Sequence, residues 1–358
     1  MARVVVVDDS QFMRVQIREI LEEGGHDIVT EASNGNEGVE AVEEHEPDVV
    51  TMDVKMPGMD GISAVERIME TVPTPVLMLS RYTGEGADTT LEALDAGAVD
   101  FMLKPDGEVT TDLVEYADDL VELVSVVAEA DVDPVGEGGQ PSEPSALSPI
   151  SPKPALLTAD WETPPTLVVA ASTGGPSEIH TIFRKLPGAV GLRVLVVQHM
   201  PEPFTDRFAN RLDELSTFEV REAARGDRVG PNEVAVAKGD NHLEVDGEVG
   251  EELSVSLTDD PPVHSVRPAA DVTLQSAAET VNGPVIALVL SGMGRDSAAG
   301  VEAVKEAGGR VLVQAPEDAS ITSMPERAIE TGSVDEVVST ERIPDAILDE
   351  LRKLVADA

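Results

Sequence analysis

Cysteine is absent from the 358-residue chain, which excludes disulfides and thiolate chemistry and fits a reducing interior. Positive charge is scarce: 25 Lys and Arg stand against 69 Asp and Glu, for a formal net charge of −44. A chain this acidic repels phosphate backbones, which argues against nucleic-acid binding. Only seven of the cations are Lys. The acids are scattered through segments that read as folded rather than gathered in a tail. Dense surface carboxylate, its repulsion screened by salt, is what adaptation to high salt predicts, with an ordinary acidic protein as the alternative. No stretch approaches the roughly 18 consecutive apolar residues of a membrane span, so membrane insertion is not expected. The start, Met1-Ala2-Arg3-Val4-Val5-Val6-Val7-Asp8-Asp9, resembles a signal peptide only superficially, because its apolar run of four residues ends in acids. The expected location is cytoplasmic.

The length suits two ordinary domains, each with its own core. Within 1–128, strand patterns at 4–7, 27–31, 49–52, 76–79 and 99–103 alternate with helical patterns at 11–23, 35–45, 61–71, 85–96 and 109–129. Such alternation predicts a parallel sheet covered by helices on both faces. From Asp131 to Pro165 there are eight prolines and little periodicity, so 129–163 reads as a linker, with Leu156, Leu157 and Trp161 as candidates for docking on a domain. A second α/β pattern occupies 164–358, with strands expected at 166–171, 193–198, 218–222, 233–237, 285–290 and 310–313. Helices are expected at 176–186, 202–214, 268–282, 296–307 and 340–355, and Asp246-Gly247 gives a hairpin-like signal within 240–257. The expected fold class is α/β, two doubly wound parallel-sheet domains joined by a Pro-rich linker.

In a doubly wound sheet, the loops leaving the strand C-termini converge at one edge. Asp8 and Asp9 close the first strand, Asp53 the third, Ser80 the fourth and Lys104 the fifth. Three carboxylates gathered at one point repel each other unless a hard divalent cation binds them, which suggests Mg²⁺. A metal-bound carboxylate with a Lys and a hydroxyl nearby suits acceptance of a phosphoryl group. A lone strand-end Asp is more often a cap or turn residue, and it is the set that carries the signal. With Met56-Pro57-Gly58-Met59-Asp60-Gly61 and Lys104-Pro105, the segment resembles the response-regulator receiver family along its whole length, a flavodoxin-like fold. The resemblance implies Asp53 as phosphoacceptor, with Asp8, Asp9 and the Lys55 carbonyl holding Mg²⁺. It also implies Ser80 and Lys104 as phosphoryl contacts and Phe101 as an aromatic switch. Arg81-Tyr82 follows Ser80 where the family has a small residue.

The second domain carries no His-x-x-x-His and no clustered metal ligands. Val168-Val169-Ala170-Ala171-Ser172-Thr173-Gly174-Gly175-Pro176 reads as a strand, a tight small-residue turn and a helix opening near Pro176. Such a turn exposes a serine hydroxyl at the sheet edge, with free amides at the helix start to stabilise negative charge. It is analogous to a nucleophile elbow, although Ala170 stands at the first Gly position. A helix N-cap at Ser172 or Ser177 is the competing reading. A nucleotide-binding turn is a weaker rival, since both phosphate-loop patterns are missing. A serine nucleophile needs a base, and the base an orienting acid. His199 and Asp296 follow the strands ending near Gln198 and Leu290, so all three groups lie beyond strand C-termini. Alone, His199 reads as a hydrogen-bonded loop histidine and Asp296 as a helix cap, and it is their shared placement that suggests a triad. His26, His45, His180 and His242 read as solvated or structural. His264 is a candidate to touch substrate, along with Arg267.

Ala171-Ser172-Thr173-Gly174-Gly175-Pro176, Gln198-His199-Met200-Pro201, Arg267-Pro268 followed by Asp271, and Ser291-Gly292-Met293-Gly294-Arg295-Asp296 together resemble the motifs of the CheB family. These are chemotaxis response-regulator protein-glutamate methylesterases, and with the receiver the similarity spans essentially the whole chain. The resemblance implies Ser172 as nucleophile, His199 as base, Asp296 as orienting acid and the Met293 backbone N–H in the oxyanion hole. The implied substrate is a glutamate γ-methyl ester on a methyl-accepting chemoreceptor, with deamidation of receptor glutamines as a second reaction. The implied phosphodonor is a chemotaxis histidine kinase, and no cofactor is implied for the esterase reaction. Ser291 stands where the family usually has Thr, and Ser297 where Gly is common. A scaffold with an inactive hydrolase domain, or a regulator whose second domain binds nucleotide or DNA, are the alternatives.

Overall fold

In the computed structural model the described residues are 1–81, 84–104, 110–130, 132 and 163–357. The expected linker therefore lies almost wholly outside the described residues, with Trp161, Leu156 and Leu157, and so do Tyr82 and Pro105. The chain divides into two compact units, Met1–Glu143 and Pro144–Ala358.

Unit one alternates β1 (Arg3–Val7), α1 (Gln11–Glu23), β2 (Asp27–Ala32), α2 (Gly35–His45), β3 (Val49–Asp53), α3 (Gly61–Thr71), β4 (Val76–Arg81), α4 (Gly84–Asp95), β5 (Asp100–Lys104) and α5 (Thr110–Val127). The strands form one parallel sheet in the order β2-β1-β3-β4-β5. Helices on both faces bury the central strands, and Val4, Val5, Val6, Val49 and Val50 have no exposed surface. Each such side chain contributes about 1.5–3 kcal/mol of burial energy. Polar residues start the helices as capping chemistry requires: Ser10, Asn34 and Asp60 accept the N–H of Met13, Glu37 and Ser63. The connections from β1 and β3 run to opposite sides of the sheet, which leaves a crevice at their C-termini, and Asp8, Asp9 and Asp53 stand at its mouth.

Unit two follows the same logic with β6 (Thr166–Ala171), α6 (Gly175–Lys185), β7 (Arg193–Gln198), α7 (Glu202–Leu215), β8 (Glu219–Glu222), β9 (Arg228–Val229), β10 (Glu233–Val236), β11 (His242–Val249), β12 (Glu252–Thr258), α8 (Ala270–Thr280), β13 (Val285–Val289), α9 (Ala298–Glu306), β14 (Arg310–Gln314), α10 (Ser323–Glu330), β15 (Glu336–Val338) and α11 (Ile343–Asp357). Seven strands pair in the order β15-β14-β13-β6-β7-β10-β8, all parallel. Strands β6 and β7 are buried along their full length, as their unbroken apolar runs predict. Val168, Ala170, Leu195 and Val197 pack in one core with Leu274 of α8, Val301 of α9 and Met324 of α10. β6 lies between β7 and β13, so its C-terminus is the switch point of this sheet.

The departures from expectation are local. A small antiparallel sheet, β11-β12-β9, stands beside the main one, and its hairpin turns at Gly250-Glu251 rather than at Asp246-Gly247. Gly247 sits at a register shift instead, at φ 149°, so the glycine serves a bulge and not the turn. β9, α10 and β15 were not expected. Among the described residues no helix is long and apolar enough to cross a membrane.

Candidate active site

Each unit places its chemistry at a switch point. In unit one, Asp8, Asp9 and Asp53 each offer an oxygen, and these atoms lie within 4.8 Å of one another. Lys104, buried at the end of β5, donates to Asp8 Oδ2 at 2.6 Å and pairs with Asp53 Oδ1 at 2.6 Å. Backbone and side chains hold this geometry. The Ser10 N–H donates to Asp8 Oδ1 at 2.8 Å, and Arg14 Nη1 donates to the Asp8 carbonyl at 2.6 Å. Gly61 opens α3 so close to β3 that a Cβ there would lie 2.2 Å from the Asp53 carbonyl oxygen. Burial pushes the Asp53 carboxyl above its usual range against the pull of Lys104, and Asp8 and Asp9 add to the rise. Ser80 accepts a hydrogen bond from Thr90 Oγ1 at 2.9 Å, and Phe101 is buried. Lys55 is exposed on the loop after β3. Three carboxylates with hard oxygen donors and one shared ammonium fit a Mg²⁺ ion that keeps several of its waters.

In unit two, Ser172 follows β6 and its N–H donates to the Ser291 carbonyl at 3.0 Å. Gly174 at φ 81° makes the turn into α6 that only glycine adopts without strain. The His199 N–H donates to the Ala171 carbonyl at 3.0 Å, so this histidine stands one step past the β6-β7 pairing. His199 Nε2 lies 2.7 Å from Asp296 Oδ2. An ionised carboxylate only accepts, so this contact fixes the tautomer with hydrogen on Nε2 and leaves Nδ1 as the basic nitrogen. Burial opposes ionisation of Asp296, yet His199 and the N–H groups of Asp271 and Ala270 outweigh it and hold the carboxyl below its usual range. Those backbone bonds measure 3.0 Å from Asp271 and 2.5 Å from Ala270.

The turn 291–294 lies directly against the serine: a Cβ on Gly292 would stand 2.7 Å from Ser172 Cβ. Met293 and Gly294 line a cavity of about 280 Å³ with His199, Asp296, His264 and Ser265. His264 Nε2 lies 3.0 Å from Asp271 Oδ2, and Gly300 donates to Asp271 Oδ1 at 2.7 Å. Burial raises the Asp271 carboxyl above its usual range, and the neighbouring Asp296 charge adds to the rise. Of the two further candidates, His264 therefore reaches the cavity. Arg267 instead donates to the Asp259 and Asp260 carbonyls at 3.0 and 3.1 Å. His180 is stacked on Phe208 at 5.3 Å, and His242 is buried between Ala269 N–H and the Pro261 carbonyl, so both are structural. Ser297 adopts φ 94°, where a side chain is strained, and its buried Oγ has no hydrogen-bond partner. That backbone explains why glycine suits the position.

Two groups escaped the sequence reading. Ser291 was noticed only as a replacement, yet its Oγ donates to the Thr173 carbonyl at 2.7 Å and accepts the Ile321 N–H at 2.9 Å. Glu178 was one acid among many on an amphipathic helix, and the structure buries it behind Ser291.

The family profile described as CheB methylesterase matches residues 167–347, and that of the response regulator receiver domain matches 4–133. A protein-glutamate methylesterase/protein-glutamine glutaminase of Natronomonas pharaonis is 51% identical over 349 residues, covering 98% of each chain. Its namesake in Pyrococcus horikoshii is 38% identical, covering 97% of this chain and 92% of its own. The crystal structure of the Thermotoga maritima CheB methylesterase catalytic domain superposes with a TM-score of 0.50 at 36% identity, covering 53% of this chain and all, 100%, of that one. The chain belongs to the CheB methylesterase family, with a response regulator receiver domain preceding the methylesterase domain.

Proposed function

We propose that the chain is a phosphorylation-activated serine hydrolase of chemotaxis adaptation, which removes γ-methyl esters from glutamates of methyl-accepting chemoreceptors and deamidates selected receptor glutamines. The observation that carries the reading is the His199–Asp296 pair at 2.7 Å beside the turn that presents Ser172. His199 Nδ1 takes the proton as Ser172 Oγ attacks the ester carbonyl. The Met293 N–H, with the amides at the start of α6, receives the developing oxyanion. Asp296 holds the ring and stabilises the imidazolium, which then protonates the leaving methoxide, and methanol departs. Water, deprotonated by the same imidazole, attacks the acyl-serine and releases the free glutamate. With a glutamine substrate the same steps expel ammonia. Dividing the chain as receiver 1–128, linker 129–163 and hydrolase 164–358 agrees with this allotment of tasks.

In the receiver, Asp53 accepts the phosphoryl group from a chemotaxis histidine kinase. Asp8, Asp9, Asp53 and the Lys55 carbonyl hold Mg²⁺, which when bound neutralises charge on the transferring oxygens. Lys104 and Ser80 contact the phosphoryl group, and the Ser80–Phe101 face rearranges to relieve inhibition of the hydrolase. The protein works in the cytoplasm, in high salt, as the net charge of −44 suits. The test is methanol release from methylated receptor. Ser172→Ala abolishes it under this reading, and a variant that retains release removes Ser172 from the chemistry.

A further inference from the structure

We infer that Glu178 is a positioning residue for acyl transfer: a buried carboxylate that ties the first turn of α6 to the turn 291–294 and makes the geometry of that turn depend on its own protonation. The inference rests on the proposal that Ser172 is the nucleophile and Met293 the oxyanion donor.

Glu178 lies on the helix that follows the nucleophile turn and is 8% exposed. Its Oε2 accepts the Ser291 N–H at 3.2 Å, and the Ser320 N–H and the Gln314 side chain favour its ionised form. Ser291 is the residue on which the site hangs. Its carbonyl receives the Ser172 N–H at 3.0 Å, and its hydroxyl joins the Thr173 carbonyl to the Ile321 N–H. The segment after Ser320 clamps the far side of the same turn. Gly292 N–H donates to the Ile321 carbonyl at 3.1 Å, and Gly294 N–H donates to Ser323 Oγ at 3.0 Å. One carboxylate thus bonds to the residue that opens the turn carrying Met293, and the segment after Ser320 holds the other side of that turn.

Among the described residues no cation pairs with it. Burial pushes the carboxyl up to about 7, its three hydrogen bonds only partly opposing, and Asp318 is the charged neighbour, which raises it further. Ionised, both oxygens are free to accept backbone N–H groups. Protonated, one oxygen carries a hydrogen that needs an acceptor. The Ser291 N–H is shared between Glu178 Oε2 at 3.2 Å and Gln314 Oε1 at 2.7 Å, so a hydrogen placed on the carboxyl takes an acceptor from Ser291. Protonation therefore competes with the bond that pins Ser291. Small displacements of a donor matter here, since a misplacement of about 1 Å can cost a factor of about 100 in rate.

Glu178→Gln, nearly isosteric, mimics the protonated form. In the full chain acting on methylated receptor, kcat for methanol release falls about tenfold at pH 8.5 while KM stays within about twofold, the pattern of a lost transition-state interaction. The ratio of wild-type to variant kcat falls toward one as the pH is lowered to 5.5, because wild type then carries the same uncharged group. Any pH-dependent step common to the two proteins cancels from the ratio. A ratio near one throughout, or a deficit independent of pH, overturns the inference. Glu178→Asp serves should the Gln variant not fold: it keeps the charge but draws it back from Ser291. It is expected to lower kcat at unchanged KM while keeping the wild-type pH limb, and wild-type kcat in that variant overturns the inference too. Ser172→Ala is assayed alongside. Methanol release by that variant would sink the hydrolase reading itself, whereas its silence with an unaffected Glu178→Gln sinks only the role of Glu178.

Discussion

Asp296→Asn keeps the volume of the side chain but removes one of two acceptor oxygens from a site with three donors. In the wild type, Oδ2 faces His199 Nε2 at 2.7 Å and the Ala270 N–H at 2.5 Å, while Oδ1 faces the Asp271 N–H at 3.0 Å. An amide group turned toward Asp271 opposes one donor, whereas the reverse orientation opposes two. The first is cheaper, and one unpaired buried N–H costs about 1–3 kcal/mol of stability. It leaves Nδ1 basic but removes the negative charge that stabilises the imidazolium. A charge-assisted bond exceeds a neutral one by roughly 1–2 kcal/mol, and the lost Coulomb attraction brings the total to about 3 kcal/mol, or about 100-fold in kcat. Should the amide turn the other way, the opposite tautomer follows and the fall reaches about 10⁴-fold, as in a serine protease so altered. Methanol release measures the rate, and melting in the same high-salt buffer measures the stability. The Asp296 carboxyl is held below its ordinary value of 3.8, so its contribution is present at neutral pH and fades as the pH falls through the lowered value. The stability gap between wild type and variant should therefore close in acid. A variant within threefold of wild-type kcat and equally stable at pH 7 would refute the role of Asp296.

Three further outcomes follow from the same geometry. Ser297→Gly relieves a left-handed backbone at φ 94° and removes an unpartnered buried hydroxyl, so melting should show a gain of about 1 kcal/mol, and a loss would contradict the strain argument. Lys104→Met leaves Asp8 and Asp53 without their shared cation and should destabilise the receiver by about 3 kcal/mol, partly recovered by Mg²⁺; unchanged stability in a chelator would count against the pairing. Glu178 ionises near 7 in the fold against 4.5 when free, so its burial disfavours the folded state increasingly as the pH rises between those values. Glu178→Gln should match wild type in stability near pH 4 and exceed it by up to about 3 kcal/mol above pH 7, and a constant difference across that range would be the contrary result.

The placement of the proposed triad was legible because each member follows a strand, and parallel strands bring their C-termini to one edge whatever lies between them. Ser172, His199 and Asp296 needed only the period of the flanking apolar runs to be placed. The receiver carboxylates were legible for the same reason. Ser291 and Glu178 were not, because their roles depend on which backbone N–H groups a buried oxygen meets, and that has no periodicity. Asp246-Gly247 misled because glycine at positive φ serves a bulge as well as a turn. Helix α10 carries Pro325 in its first turn and only eight residues, too short for an amphipathic pattern to stand out. Arg267 was grouped with His264 by proximity in sequence, yet the backbone between them reverses: His264 and Ser265 take φ 54° and 65°, and the two side chains make separate contacts.

The central claim is that a receiver governs this hydrolase through one aspartate. Methanol release from methylated receptor, measured in high salt with Mg²⁺ and with or without a small phosphodonor, tests it most directly when wild type and Asp53→Asn are compared. The account predicts that the phosphodonor stimulates wild type and leaves Asp53→Asn at its basal rate. Equal stimulation of the two proteins would contradict it.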